Sequence, residues 1–157
     1  MSAKLDRRTL VSLLGATSAM GIAGVYVAQG TPVMTVYKDR NCGCCKQWAR
    51  HAEDAGIAVR ILDVEDIMAV KRRLGVPDDL QSCHTAEISG YVIEGHVLAS
   101  AIKRLLSEAR GERGLAVPGM PVGSPGMEGG TPEFYDVVLF GPSGSRTFGR
   151  FRGGDSA

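Results

Sequence analysis

The sequence predicts one α/β domain with a mixed sheet, flanking helices and a C-terminal β-hairpin. Short β-branched runs alternate with stretches of helical apolar spacing, in the order β-α-β-α-β-β-α. Three of the four cysteines fall within residues 42–45, at the turn between the first strand and the first helix. A chain of 157 residues can build one core but not comfortably two.

The first half of the domain is predicted to be a strand-helix-strand-helix unit. Residues 33–37 form the first strand, residues 45–55 the first helix and residues 58–62 the second strand. A second helix over residues 67–74 ends at Gly75. This order predicts a right-handed crossover between two parallel strands.

The second half is predicted to contain a hairpin and a third helix. Residues 88–93 read as a strand, residues 94–95 as a tight turn and residues 96–98 as the antiparallel return. Ser100 is expected to cap the third helix. Four apolar residues are expected on its inward face: Ile102, Leu105, Leu106 and Ala109. The resulting order is that of a thioredoxin or glutaredoxin fold, with the cysteine turn at the start of the first helix.

Residues 111–132 differ in composition from the rest of the chain. They are rich in glycine and proline and poor in bulky apolar residues, so they predict a long loop that buries little. Residues 134–140 and 146–151 flank a glycine-proline turn and predict the closing hairpin. Two other methionines, Met34 and Met68, fall in predicted secondary structure and are assigned to the core.

Residues 1–30 are predicted to be an export signal or an N-terminal membrane anchor. A basic start with Arg7 and Arg8 precedes an uncharged apolar run over residues 10–28. The arginine pair resembles a twin-arginine signal, and an ordinary secretory signal is the alternative. If uncleaved, the segment is almost long enough to span a bilayer. In either case residues 31–157 are expected in the periplasm, where thiols meet oxidising conditions.

The charge balance disfavours nucleic-acid binding. Lysine and arginine number 18 against 17 aspartates and glutamates, and no basic cluster stands out. Because phosphate recognition needs a concentrated cationic surface, nucleic acid is not an expected partner.

The cysteine turn is compatible with more than one chemistry. Cys42 and Cys45 have the spacing of a redox dithiol, and the N-terminus of a helix favours their thiolate form. Cys44 makes clean two-electron cycling harder, because a third thiol can capture a mixed disulfide. Three soft thiolates instead suit Cu(I), zinc or iron–sulfur clusters, and a thiolate can bridge two Cu(I) ions. Two structural disulfides are a further interpretation.

Further candidate ligands lie later in the chain. Cys83 and His84 precede the predicted third strand, where thioredoxin-like folds normally carry a cis-proline that faces the active-site turn. We therefore expect them to face the first three sulfurs. His96 lies at the predicted hairpin turn and is either a ligand or a surface residue. His51, on the first helix, is expected to be solvated.

Two methionines in the glycine-proline loop suggest a lid over a copper site. Met120 and Met127 have no helical or strand periodicity that would bury them in the core. Thioethers stay neutral and bind Cu(I) in oxidising compartments, so either residue is a candidate ligand. Packing against the domain is the alternative.

Three motifs together resemble a known family. They are Tyr37-Lys38-x-x-x-Cys42-Gly43-Cys44-Cys45-x-x-Trp48, then Ser82-Cys83-His84-Thr85-Ala86, then Gly90-Tyr91-x-Ile93-Glu94-Gly95-His96-Val97. The chain looks like the exported CopG-like copper-resistance proteins, long labelled only as a domain of unknown function. The resemblance implies a thioredoxin-like fold, a cysteine-bridged multinuclear copper cluster and a role in periplasmic copper tolerance. The copper ligands that it implies are Cys42, Cys44, Cys45 and Cys83, with weaker transfers to His96 and the loop methionines.

The sequence thus predicts a periplasmic copper-binding protein, with Cu(I) as the ion, that acts in copper resistance. One alternative is a thiol–disulfide oxidoreductase with Cys42 and Cys45 as catalytic residues, and another is a protein that interconverts Cu(I) and Cu(II). Expected partners are copper ions and other periplasmic copper-handling proteins. The candidate metal ligands are Cys42, Cys44, Cys45, Cys83, His84, His96, Met120 and Met127.

Overall fold

The computed structural model describes residues 31–108 and 111–156, which form a mixed sheet and three α-helices. The strands are β1 (Val33–Lys38), β2 (Ala58–Asp63), β3 (His84–Ile88), β4 (Tyr91–Glu94), β5 (Gly114–Ala116), β6 (Phe134–Gly141), β7 (Gly144–Arg152) and β8 (Asp155–Ser156). The helices are α1 (Gly43–Asp54), α2 (Ile67–Leu74) and α3 (Ala99–Glu108), and a short 3-10 turn spans Asp78–Leu80.

The predicted export signal or anchor in residues 1–30 lies outside the described residues. Within the part of the chain that the structure does describe, no helix has the length and apolar character needed to span a bilayer.

The strand order in the sheet is β2-β1-β3-β4-β5-β6-β7-β8. Strands β1 and β2 are parallel, as the predicted crossover requires, and β3 and β4 follow as antiparallel neighbours. Together with the three helices, these four strands form a thioredoxin-like α/β fold, which confirms the predicted fold class. Strand β5 runs parallel to β4, and the closing hairpin of β6 and β7 extends the sheet beyond it.

Helix α1 begins directly at the cysteine turn and packs one face on the sheet. Its buried residues recur at helical spacing and are Cys45, Trp48, Ala49 and Ala52. The Trp48 indole N–H donates a hydrogen bond of 2.8 Å to the Val97 carbonyl, which ties α1 to the segment before α3. The main core lies between this face of the sheet, α1 and α3, and includes Met34, Ile102 and Leu105.

Helix α2 covers the opposite face of the sheet and has clear end signals. The Asp66 carboxylate accepts a hydrogen bond of 2.9 Å from the Ala69 amide, and Gly75 closes the helix with φ 71°. Leu74 packs in a second apolar cluster with residues of β4, β5 and β6. Met68 is 41% exposed on this helix, so its assignment to the core was wrong.

The predicted position of the hairpin turn was wrong. The turn lies at Ser89 and Gly90, which both have positive φ, and not at residues 94–95. Glu94 belongs to β4, where it pairs with Thr85 of β3. Residues 96–98 are not a return strand but a buried segment that leads into α3.

The predicted cap of α3 was also wrong. The helix begins at Ala99, so Ser100 lies inside its first turn. Ala109 lies outside the described residues.

The prediction that residues 111–132 form only a loop and bury little was also wrong. Strand β5 lies within this range, and Leu115 is fully buried between β4 and β6. A Cβ on Gly114 would lie 1.8 Å from the Val92 carbonyl oxygen, so glycine is required there by close approach to β4. The glycine content therefore reflects tight backbone contacts as well as turns.

Candidate metal centre

All four cysteines meet at one point of the fold. Cys42, Cys44 and Cys45 lie at the start of α1, and Cys83 immediately precedes β3. Strands β1 and β3 are neighbours in the sheet, which brings the two chain segments together. The Cys83 sulfur lies 3.6 Å from the Cys45 sulfur and 3.8 Å from the Cys44 sulfur. Cys44 in turn lies 3.5 Å from the sulfur of Cys42.

Two of the four sulfurs form a disulfide. Cys42 and Cys45 are bonded across the first turn of α1, with their Cα atoms 5.5 Å apart. Cys44 and Cys83 are free thiols and are both partly buried. The interpretation in which the four cysteines form two structural disulfides is therefore wrong, because two free thiols lie beside one disulfide.

Two buried imidazoles flank Cys83. Its sulfur lies 3.2 Å from Nδ1 of His84 and 3.1 Å from Nε2 of His96. Both histidines are fully buried, and their rings meet edge to face with centroids 5.1 Å apart. Nε2 of His84 is buried and has no hydrogen-bond partner. A buried nitrogen without a hydrogen-bond partner is costly unless a ligand uses it.

The candidate ligands form two groups that share one sulfur. The first consists of Cys42, Cys44, Cys45 and Cys83, and the second of Cys83, His84 and His96. Within each group the ligand atoms lie no more than 4.8 Å from one another. The structure thus brings together six of the eight residues that the sequence predicted as ligands, with Cys83 at the junction.

Burial sets the protonation states of this region. It raises the pKa of Cys83 to about 12, and the neighbouring Cys44 adds to the shift. Burial also lowers the pKa of His84 well below its ordinary value, with smaller contributions from His96 and Lys71. The pKa of His96 is lowered by burial as well. Both imidazoles are therefore neutral near pH 7, which is the form that binds metals.

A backbone carbonyl fixes the orientation of His96. Its Nδ1 lies 2.8 Å from the Pro125 carbonyl oxygen, which can only accept a hydrogen bond. Nδ1 therefore carries the proton, and Nε2 presents its lone pair to Cys83.

A buried ion pair lies beneath the histidines. The Lys71 ammonium contacts the Glu94 carboxylate, and their side chains are 1% and 0% exposed. The Thr85 hydroxyl donates a hydrogen bond of 2.7 Å to the same carboxylate. The Ser82 amide does so at 2.6 Å and thereby anchors the residue before Cys83. Sequence reasoning missed Lys71 and Glu94, although Lys71 falls on the inward, apolar spacing of α2.

The two loop methionines and His51 are not members of the two ligand groups described above. Met120 is 51% exposed, and Met127 is partly buried in a turn that packs on α1. Their roles as ligands stay predictions.

The prediction that His51 is solvated was wrong. The residue is half-buried, and its Nε2 accepts a hydrogen bond of 3.1 Å from the Ala99 amide at the start of α3.

Comparisons with known proteins found one matching family and two similar solved structures. Residues 80–127 match a family described as "Protein of unknown function, DUF411". Two solved structures, named "Copper resistance protein copG", Form 2 and Form 1, are each 46% identical to the chain and cover 76% of it. The match covers 98% and 96% of those chains, with TM-scores of 0.73 and 0.72. No curated protein shows a significant match to the chain.

Proposed function

The chain belongs to the CopG copper-resistance family, and we propose that it is a periplasmic protein that binds Cu(I) at its cysteine cluster and acts in copper resistance. The names of the two similar structures support the link to copper. The observation that carries the proposal is the convergence of four sulfurs, with Cys83 no more than 3.8 Å from both Cys44 and Cys45.

The residues at the site suit copper as a bound ion. Thiolates are soft ligands that favour Cu(I), and imidazole nitrogen also suits copper. Nδ1 of His84 and Nε2 of His96 both face the Cys83 sulfur, at 3.2 Å and 3.1 Å, which supports a ligand position on the imidazole side. Because Cys83 belongs to both ligand groups, its thiolate is placed to contribute to more than one copper ion.

All four cysteines can bind copper only after the Cys42–Cys45 disulfide has been reduced. The Cys42–Cys45 disulfide has no free thiolate, so two electrons and two protons must open it to two thiols. Copper then replaces the thiol protons, including the firmly held proton of Cys83. The proposed copper-binding form is therefore the reduced form of the protein.

The direct test is anaerobic titration of the reduced protein from residue 31 onward with Cu(I) in a competing chelator. We expect more than one Cu(I) per chain and a lower number in Cys44→Ser. Met68→Leu, at an exposed position on α2, is the control and should bind as the wild type does. Absence of Cu(I) uptake, or unchanged uptake in Cys44→Ser, would contradict the proposal.

A second candidate function is interconversion of Cu(I) and Cu(II). The group of Cys83, His84 and His96 supports it, because one thiolate and two imidazoles are a ligand set that copper uses in both oxidation states. Electron paramagnetic resonance of the copper-loaded, oxidised protein should then show a Cu(II) signal that His96→Gln alters. A loaded protein that stays without signal after mild oxidation excludes this function.

The Cys42–Cys45 disulfide favours a third candidate, thiol–disulfide exchange with a partner protein. This function predicts reduction of insulin disulfides that needs Cys42 and Cys45 but not Cys83. If Cys83→Ser abolishes turnover, a simple dithiol mechanism is wrong.

The periplasmic location has a separate test. If residues 1–30 contain a twin-arginine signal, the double substitution Arg7→Lys/Arg8→Lys should retain the protein in the cytoplasm. Normal export of this variant would favour an ordinary secretory signal.

A further inference from the structure

Residues 121–127 form a compact turn against the candidate metal centre. The Ser124 amide donates to the Pro121 carbonyl at 3.1 Å, and the Met127 amide donates to the Ser124 carbonyl at 2.8 Å. The Gly123 amide closes the turn on the Met127 carbonyl at 2.9 Å. Ser124 is fully buried, and its hydroxyl also bonds to Pro121. The 121–127 turn is thus held by its own hydrogen bonds.

The turn meets the first turn of α1 backbone to backbone. Gly126 is buried with φ +84°, and a Cβ at this position would lie 2.7 Å from the Cys44 carbonyl oxygen. The same Cβ would lie 2.8 Å from the Trp48 backbone nitrogen. Both contacts are with backbone atoms, which cannot rotate away. Only glycine therefore allows this approach.

The same turn holds a side chain on the other side of the centre. Pro125, directly before Gly126, presents its carbonyl to Nδ1 of His96 at 2.8 Å. The lone pair of Nε2 consequently faces the Cys83 sulfur at 3.1 Å. One dipeptide thus contacts the cysteine segment through its glycine and the histidine segment through its carbonyl.

We propose that the 121–127 turn is a positioning element of the centre, in which Gly126 permits docking on α1 and the Pro125 carbonyl thereby selects the His96 tautomer that faces Cys83. Its consequence for copper rests on the proposed function. Hydrogen-bond partners that orient a histidine ligand usually change metal affinity by about 10- to 100-fold.

The test compares two glycines with matching backbone strain. Gly56→Ala is the control, because Gly56 has φ +83° and a Cβ at that position would meet nothing within 4 Å. Gly126→Ala has the same backbone strain at φ +84° but also collides with α1. In the metal-free protein, ¹⁵N NMR of the imidazoles should show the Nδ1–H tautomer of His96 in the wild type and in Gly56→Ala. In Gly126→Ala the Nδ1–H form of His96 should no longer be the only tautomer in the spectrum.

Copper titration gives the second measurement. We expect Gly126→Ala to keep the Cu(I) stoichiometry, because every cysteine is present, and to lose about 10- to 100-fold in affinity. Gly56→Ala should bind as the wild type does. Equal tautomer and affinity in the two variants would overturn the proposal.

The wild-type NMR spectrum tests the positioning role even if Gly126→Ala does not fold. A His96 that carries its proton on Nε2 in the metal-free wild type overturns the positioning role without any variant. Failure of the copper proposal is distinct, because it appears as absent Cu(I) uptake by a wild type whose His96 tautomer is still the expected one.

Discussion

The two sides of the candidate metal centre differ in their chemistry. The sulfur half, Cys42, Cys44 and Cys45, lies around one helical turn and already contains a disulfide. The imidazole half, Cys83, His84 and His96, draws on two strand ends, and both of its rings are fully buried. The disulfide of the sulfur half can be reduced to two thiols, whereas burial keeps the two imidazoles of the other half neutral.

This difference suggests a division of roles. A helix N-terminus offers exposed N–H groups that stabilise thiolates, which favours redox exchange in the sulfur half. Burial of the imidazole half raises the pKa of Cys83 and lowers the pKa values of the two histidines, so all three are neutral in the metal-free protein. The imidazole half is therefore a fixed set of candidate ligands beside a sulfur half whose disulfide can be reduced and formed again.

The largest expected effect concerns the ion pair that supports the imidazole half. Glu94→Ala leaves the Lys71 ammonium buried without its carboxylate, which should lower the free energy of unfolding by about 3–5 kcal/mol. Chemical denaturation of the metal-free protein measures this loss. The double variant Lys71→Met/Glu94→Leu removes both charges and should recover much of the stability. A loss below about 1 kcal/mol in Glu94→Ala would show that water reaches the pair.

The next effect separates the two free thiols. With the Cys42–Cys45 disulfide intact at pH 8, Cys83 should react with iodoacetamide on the order of a thousandfold more slowly than an ordinary thiol, because a pKa of about 12 leaves little thiolate. Cys44 should be the first site modified, and peptide mass spectrometry over time measures both rates. In Cys44→Ser only the slow reaction should remain. Equal rates at the two thiols would remove the proposed difference between the halves.

A smaller effect should appear in the pH dependence of stability. Burial lowers the pKa values of His51, His84 and His96 in the folded protein, so the unfolded chain binds more protons below about pH 6.5. Their contribution to stability is present above that pH and is lost as the pH falls. We therefore expect the free energy of unfolding to fall between pH 7 and pH 5, which chemical denaturation at a series of pH values measures. A flat profile over this range would contradict burial of the imidazoles.

The smallest effect concerns a histidine outside the centre. His51→Ala removes the acceptor for the Ala99 amide and should cost about 1 kcal/mol, as loss of a helix cap does. His51→Gln should cost less, because its amide oxygen can accept the same hydrogen bond. Cu(I) stoichiometry should stay unchanged in both variants. A change in stoichiometry would mean that His51 contributes to the centre after all.

The sulfur half was predictable because its information is local. The spacing of Cys42, Cys44 and Cys45 at a strand-to-helix turn predicted where the thiols lie, and the helix began at that turn. The position of Cys83 opposite them followed from the predicted strand order. A correct fold class was therefore enough to bring the four sulfurs together.

The imidazole half was less predictable because non-local contacts determine it. The apolar run before Glu94 read as one strand, but the chain turns at Ser89 and Gly90 instead. Glu94 looked like a turn residue because nothing local reveals that Lys71, more than twenty positions earlier, neutralises it inside the fold. Burial of a charged pair depends on a partner that the sequence neighbourhood does not show.

The glycine-proline segment illustrates a third limit of sequence analysis. Its composition predicted a flexible lid with Met120 and Met127 above the centre. The contacts that hold it there come instead from the backbone of Pro125 and Gly126. A backbone carbonyl is present at every residue, so its use as a hydrogen-bond acceptor leaves no mark on the sequence.

The pairing of β1 with β3 bears on how such a chain tolerates evolutionary change. Cys45 and Cys83 lie 38 residues apart. Their sulfurs meet because α1 follows β1 along the chain and β1 pairs directly with β3, which begins just after Cys83. Insertions before α2 or before β3 can lengthen the surface loops there without altering the distance between the sulfurs. A slip of one residue in β3 would be far more harmful, because it would exchange the faces of His84 and Thr85. Change in this lineage should therefore be found in the lengths of those loops rather than in the register of β3.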